Sequence, residues 1–322
     1  MKKTETSKCP MIILAFFVAL LSGASHATGQ SSPQPPTGAK AFPSPKAAAD
    51  VIVQAAAEHD VSTLLEILGP DGKDLVSSKD PTEDKNDAVP FVAAARQAMA
   101  FDTSLPNRAI LLVGPKQWPL PIPIVKRAGK WYFDAKAGSD EIIYRRIGEN
   151  ELDVIQVCRG YVEAQSEYAS QIHDDSGVNQ YAQKAISTPG RQDGLYWENA
   201  NGTAAGPIDE VAAKAIAAGF AADKPSAFHG YYFKILKGQG AEAPRGQIDY
   251  VIEGVMIGGF ALVAVPAEYK VTGVKTFMVS HDGIVYQKDL GPDSAEIGSK
   301  IELYNPDKTW QPTSDKWASQ NR

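Results

Sequence analysis

Ser280, His281 and Asp282 are adjacent, and by type they could supply a nucleophile, a general base and an orienting acid. Tyr286, Lys288 and Asp289 follow closely within residues 271–292. Catalysis by such a set requires a relay of hydrogen bonds from acid to base to nucleophile. On a strand, successive side chains point to opposite faces, so Ser280 and Asp282 share one side and His281 takes the other. Asp282-Gly283 is a tight-turn signal, because glycine supplies a positive φ at no steric cost. The expectation is a hairpin here, and no catalytic residue is assigned.

Two other groups of residues could do chemistry. Asp174, Asp175 and Asn179 follow His173 in an oxygen-rich loop, with Gly177 for a turn, and resemble a calcium loop. The regular ligand spacing of an EF-hand is absent and no glutamate closes the loop, so the alternative is aspartates that solvate a helix end. Calcium is the only cofactor suggested, since His59, His173, His229 and His281 lack paired zinc spacing. The second group is a candidate binding surface. Arg191, Asp193, Tyr196 and Trp197 share one loop, His229, Tyr231 and Tyr232 stand at the mouth of a strand, and Gln287 and Lys288 leave the 282–283 turn. Arg, Trp and Tyr on loops are typical of recognition surfaces. The competing reading has Tyr196 and Trp197 pinning the loop to a sheet and Arg191 pairing with Asp193 or another acid.

These residues sit in a chain that begins with an export pattern. Lys2, Lys3 and Lys8 precede an apolar run at residues 11–21, and Ser25-His26-Ala27 fits a small-x-small cleavage site. The run is about half the ~20 residues a membrane span needs, and no later segment approaches that length. A mature protein starting near Thr28, periplasmic or secreted and not inserted in a membrane, is expected, the alternative being an uncleaved N-terminal anchor. Removing three lysines and one glutamate takes the formal charge from −6 to −8. An acidic chain of scattered charge argues against nucleic acid or an anionic membrane surface as a partner. Cys9 leaves with the signal, so Cys158 is the only mature thiol and core burial must hold the fold. Cys158 itself lies on an apolar helix face and is expected to be a buried hydrophobe.

The organisation expected is a signal at 1–27, a Pro/Ser-rich tether at 28–43, an N-terminal α+β domain at 44–138, a second domain at 139–310 and a polar tail at 311–322. Ser44 and Pro45 open a helix with apolar Ala48, Val51, Ile52, Ala55 and Ala56, followed by short helices at 62–68 and 88–101. Strands are expected at 108–114, 121–127 and 130–135, the last two joined through Ala128-Gly129. This order, with its Gly129, Trp131 and Phe133 hairpin, resembles the nuclear transport factor 2-like fold, whose cone in other families can hold a ligand or active site. A long helix capped by Ser139, with a face of Leu152, Ile155, Cys158, Tyr161, Gln165, Tyr168 and Ile172, leads into the second domain. A short helix at 179–186, a helix at 207–218 and several strands follow. A helix with "AQSEYA", a variable loop, an antiparallel sheet and a last hairpin carrying Thr272-Gly273, Phe277 and Gly283-Ile284 resemble the globular part of type IV pilins and pseudopilins. Pilins place their own assembly helix directly before this module. Another domain takes that place here, which argues against filament assembly.

Over essentially the whole mature chain, "LGPDGKDL", "STPGRQDGLYW", "HGYYFKIL", "GGFALVAVPAEY", "VTGVKTF" and "DGIVYQKDLGPD" resemble an uncharacterised family of exported bacterial proteins, domain of unknown function 2950. Val265 stands where that pattern leads one to expect an aromatic. The fold class expected is α+β: N-terminal helices with a curved antiparallel sheet, then a long helix packed on a pilin-like antiparallel sheet. The leading functional expectation is a non-enzymatic envelope protein that binds or assembles with a partner protein, as yet unidentified. The alternative is a small-ligand binder or hydrolase using a pocket in the N-terminal cone.

Overall fold

The computed structural model describes residues 34–76, 81–173, 177–220 and 226–314, the side chains of 81–87 excepted. The expected signal peptide, the start of the tether, Asp174, Asp175 and the end of the tail lie outside the described residues. The fold is α+β, in two compact units that meet at Tyr144 and Arg145.

In the first unit the first two helix starts are explained by their caps. The Ser44 hydroxyl accepts from the Ala47 amide at 3.1 Å, and Pro45 opens α1 (Pro45–Glu58), which buries Ala48, Ala49, Ile52, Ala55 and Ala56. Asp60 accepts from the Thr63 amide to start α2 (Val61–Leu68). A 3₁₀ turn at Pro70–Gly72, α3 (Lys73–Val76) and α4 (Pro81–Gln97) follow. The helix expected to run to residue 101 ends at Gln97, because Met99–Asp102 forms β1 and pairs antiparallel with β2 (Arg108–Val113). A sheet partner for four consecutive residues outweighs the helical spacing of Met99 with Ala95. β3 (Trp118–Pro119) extends β2 on one side, while β4 (Ile124–Arg127) and β5 (Lys130–Phe133) complete the order β1-β2-β4-β5. The β4–β5 turn has Ala128 at φ 47° and Gly129 at φ 80°, the two positive values a two-residue hairpin of matching twist requires. Phe133 is buried, Trp131 partly so, and the interior is filled by Phe42, Ile52, Ile67, Leu111, Ile124 and Phe133.

α5 (Ala135–Tyr168) starts earlier than expected. Asp134 is its cap, accepting from the Ala137 amide at 3.1 Å, and the Ser139 hydroxyl instead donates back to the Ala135 carbonyl. The buried face in the second unit is Val154, Cys158, Tyr161, Gln165 and Tyr168, and Leu152 and Ile172 are exposed. Steps of three alone drift by about 60° each, so the row through Cys158 continues at Val154 rather than Leu152. Gln165 is fully buried and holds Ala182 at both ends: its Oε1 accepts from the Ala182 amide and its Nε2 donates to the Ala182 carbonyl, each at 2.8 Å. The Tyr181 amide bonds the Met256 carbonyl, and Lys184 and Ala185 accept from Leu195 and Tyr196. These distant partners consume the backbone of residues 181–185, which is why the helix expected at 179–186 does not form.

The rest of the unit is built from β6 (Trp197–Glu198), β7 (Ala204–Ala205), α6 (Glu210–Ala218), β8 (Tyr231–Leu236), β9 (Gly238–Gln239), β10 (Ile248–Asp249), β11 (Val251–Ile252), β12 (Val255–Met256), β13 (Ala261–Pro266), β14 (Lys275–Ser280), β15 (Val285–Asp289), α7 (Ser294–Ser299) and β16 (Gln311–Pro312). The main sheet has the order β16-β15-β14-β13-β8, antiparallel throughout. One face, with Phe233, Leu262, Phe277 and Val279, shares a core with α5. The other carries Lys234, which donates to the Ser299 carbonyl and pairs with Glu302, and Val265, against which α7 lies at Gly298. With both faces covered, β13 is buried at all six positions, and its sequence is an unbroken apolar run. A Cβ on Gly298 would stand 2.3 Å from a Val265 methyl, so α7 lies this close to the strand only with glycine at 298. The capping box expected at Asp293 and Glu296 is absent. Asp293 makes no side-chain cap, and Glu296 pairs with Lys300 one turn on.

One turn of α5 is tied to two loops of the sheet. The Asn150 amide donates to the Thr272 carbonyl at 2.8 Å, and one Glu151 oxygen accepts from the Val274 and Lys275 amides at 2.9 Å each. Asp153 pairs with His229 at 2.7 Å. Beneath them Tyr231, fully buried, donates to the Lys275 carbonyl at 2.9 Å, and a Cβ on Gly273 would stand 2.1 Å from its hydroxyl. The motifs "HGYYFKIL" and "VTGVKTF" therefore meet in one packing joint.

Candidate functional site

The 280–283 stretch folds as a turn. The Ser280 hydroxyl donates to Asp282 Oδ1 at 2.9 Å, the same oxygen accepts from the Ile284 amide at 3.1 Å, and the Gly283 amide bonds the Ser280 carbonyl. Serine thus bonds the acid directly, and the base is elsewhere. The half-buried His281 ring lies edge-on to Tyr250 and Phe260, and its Nε2 is 3.3 Å from Arg245 Nη1. Burial, helped by Arg245 and opposed by Asp282, holds its pKa below the usual imidazole range. A neutral ring can accept from Arg245 through Nε2, which leaves its buried Nδ1 unpartnered. Nearby, Tyr250 donates to Gln239 Oε1 at 2.8 Å, while the hydroxyl of Tyr304, a residue 1% exposed, makes no well-formed hydrogen bond among the described residues.

The loop bearing Arg191 and Asp193 is a compact unit that holds itself together. Asp193 Oδ1 accepts from the Thr188 amide at 2.7 Å, and Oδ2 accepts from the Thr188 hydroxyl at 2.9 Å and from Lys184 at 2.7 Å. Burial works against the charge of Asp193, yet these bonds prevail and hold its carboxyl at about 2. Ser187 and Gly194 bond across the base, and the Tyr196 amide joins the Ala185 carbonyl. The competing reading offers Arg191 as a partner of Asp193 or of another acid. Lys184 takes that place, because the side chain of Arg191 projects from the exposed tip.

Arg191, Asp193 and Lys184 line a groove of about 210 Å³ together with Tyr168, Gln180, Tyr181, Gln183, Lys237 and Gly254. It contains three cations and one carboxylate. Lys184 is neutralised by Asp193, whereas among the described residues the Lys237 ammonium bonds Gln183 Oε1 at 3.3 Å and neither it nor Arg191 has a carboxylate partner. On one flank His173 stacks on Tyr168 at 4.1 Å, with Trp197 at 5.5 Å from the histidine ring, and Tyr168 donates to the Gln192 carbonyl. This is a surface of uncommitted positive charge beside stacked rings, in a chain whose net charge is −6. A second groove of about 460 Å³ shares Gln183 and Lys184 with the first and is otherwise mostly apolar, walled by Ile186, Ile216, Phe220, Phe233 and Ile235.

The candidate binding residues fall in three places. Arg191, Asp193 and Trp197 flank the polar groove, and Tyr196 is buried under its loop at 5% exposure. His229 belongs to the α5 joint with Tyr231. Tyr232 and Lys288 lie on one face of the sheet but three strand spacings apart, roughly 14 Å. Lys288 stands 5.8 Å over the Trp310 ring, Gln287 is half-buried beside it on the strand, and Tyr286 packs on Tyr304. Sequence reasoning missed Lys184, Tyr181 and Lys237. Nothing in their local pattern sets them apart, because the fold brings them together from distant segments. Asn179 is exposed, and among the described residues no group of three or more His, Cys, Asp or Glu could hold a metal ion. Cys158 is buried, and desolvation pushes its thiol up to about 12, so it remains protonated. Among the described residues no helix is long and apolar enough to cross a membrane.

No curated protein and no solved structure matches the chain. Residues 39–313 match the family described as "Protein of unknown function (DUF2950)", a span that holds both cores, the α5 joint and both grooves, and the chain belongs to that family.

Proposed function

We propose that this chain is an exported bacterial envelope protein, released by signal cleavage near Ala27, that works by binding a partner protein through the polar groove at Arg191. The observation that carries this reading is the pair of cations Arg191 and Lys237. Both line one groove, neither has a carboxylate partner among the described residues, and Tyr181, Tyr168 and Trp197 lie close by. Arginine beside aromatic rings on a preorganised loop is the composition of an interface anchor. The loop is held by its own bonds to Asp193, so ordering it costs little on association. Ser280, His281 and Asp282, the most enzyme-like residues, are used in a turn and a ring stack, which favours recognition over hydrolysis.

The test places a photo-reactive amino acid at Gln192, on the loop tip, and a control at Lys130, and exposes the mature protein to periplasmic extract. A specific product from position 192 that disappears in Arg191→Glu/Lys237→Glu is expected. Failure to cross-link any protein, together with a small ligand that raises the melting temperature, would overturn the reading.

A further inference from the structure

Ile235 in β8 and Lys237 just past its end serve different grooves. Ile235 walls the apolar groove, and Lys237 lines the polar one. Side chains two apart on an extended chain share a face, and two residues of rise set these Cα atoms about 7 Å apart. Gln183 stands in both linings and is fixed there: its Nε2 donates to the Gly254 carbonyl at 2.7 Å, and its Oε1 accepts from Lys237 at 3.3 Å. The two grooves thus form one continuous surface. It is apolar toward Ile186, Phe220 and Ile235, all half-buried, and cationic toward Lys237 and Arg191. Of the cations along it, Lys184 is held by Asp193 and Lys234 by Glu302, which leaves Arg191 and Lys237. Neither lining contains a carboxylate other than Asp193. The backbone of β8 offers a ligand little, because the Phe233 carbonyl is met by Gly219, where an added Cβ would stand 2.1 Å away, and the Lys237 carbonyl accepts from the Tyr250 amide. Recognition here falls to side chains.

We infer that the partner presents an acidic segment, with a large apolar side chain in the groove walled by Ile186, Phe220 and Ile235 and a glutamate two residues away in the polar groove at Lys237 and Arg191. This rests on the partner-binding reading above and specifies the partner's chemistry. In an extended segment, side chains two apart face the same way at the spacing that separates Ile235 from Lys237. The apolar side chain supplies the buried anchor of the contact, and the carboxylate supplies register and discrimination. The sign of the charge follows from complementarity, since the cations left over along this surface are the two at its polar end.

NMR titration of the mature protein tests this, with a blocked Gly-Leu-Gly-Glu-Gly peptide as the probe. Millimolar peptide should shift the amides of Ile186, Ile235 and Lys237 together and saturably. Replacing its Glu by Gln, or its Leu by Ala, should each weaken binding about tenfold. On the protein, Lys237→Gln and Ala217→Gln change exposed positions of the two linings and should leave the fold intact. The first should erase the preference for Glu over Gln, and the second the preference for Leu over Ala. A peptide that shifts none of these amides, or that shows neither preference, overturns the inference. Shifts of the same amides on concentrating the free protein would make a second copy the occupant and also overturn it. If the peptide fails in these ways while Arg191→Glu/Lys237→Glu still releases the photo-cross-linked partner, the segment assigned here is wrong and the partner-binding reading stands. If charge reversal releases nothing, that reading fails.

Discussion

The turn at residues 280–283 and the loop at residues 187–197 use similar residue types toward opposite ends. In the turn an aspartate bonds a serine hydroxyl and a backbone amide, and the neighbouring histidine is drawn into aromatic packing against Tyr250 and Phe260. In the loop an aspartate also bonds a hydroxyl, an amide and a lysine, but its rigidity leaves Arg191 presented at the surface. The first commits its polar groups inward, whereas the second commits one aspartate so that a cation is left over. Reactive residue types next to one another are therefore a poorer sign of a site than charge the fold leaves unneutralised.

That contrast can be broken by mutation. The largest effect is expected for Asp282→Ala, which strands the hydroxyl of a serine 1% exposed and the Ile284 amide: a loss of about 2 kcal/mol in urea unfolding, with photo-cross-linking at position 192 unchanged. Tyr231→Phe deprives the Lys275 carbonyl of its donor and should cost about 1 kcal/mol. Acidification should weaken the turn region further. Burial favours neutral His281, so the unfolded chain takes up this proton at higher pH than the folded one. Stability is complete above about pH 6.5 and falls as pH drops below it, until the folded ring also protonates. Urea midpoints should show that decline, reduced in His281→Gln. Tyr304→Phe removes a buried hydroxyl with no well-formed hydrogen bond among the described residues and should be neutral or stabilising by up to about 1 kcal/mol. Smallest of all, Arg191→Glu should leave stability within about 0.5 kcal/mol of the parent while abolishing the cross-link. A large stability loss there would place Arg191 with the structural aspartates and end the contrast.

Local signals were legible in the sequence, and long-range ones were not. The Ser44-Pro45 start, the Ala128-Gly129 hairpin and the Asp282-Gly283 turn each depend on neighbours, and each forms as the residues indicate. The α+β class and the long helix against an antiparallel sheet follow from periodicity. Periodicity misled where a distant partner prevailed: Met99 joins β2, and Gln165 captures Ala182 and prevents a helix. At the candidate site, Arg191, Asp193 and Trp197 were visible as a polar-aromatic loop. Lys237 was not, because its relation to Arg191 exists only once β8 is placed beside residues 183–184.

The joint on α5 has a mechanical consequence. Asn150, Glu151 and Asp153 grip the Thr272–Lys275 and His229 loops within a single helical turn. Sliding the helix by one residue, a rise of about 1.5 Å, would put all four bonds out of register together. A fastening whose elements fail simultaneously is stiff and brittle: it resists creep under load, then releases in one step. Under tension along α5 the second unit should therefore yield as a sharp rupture rather than a gradual slip.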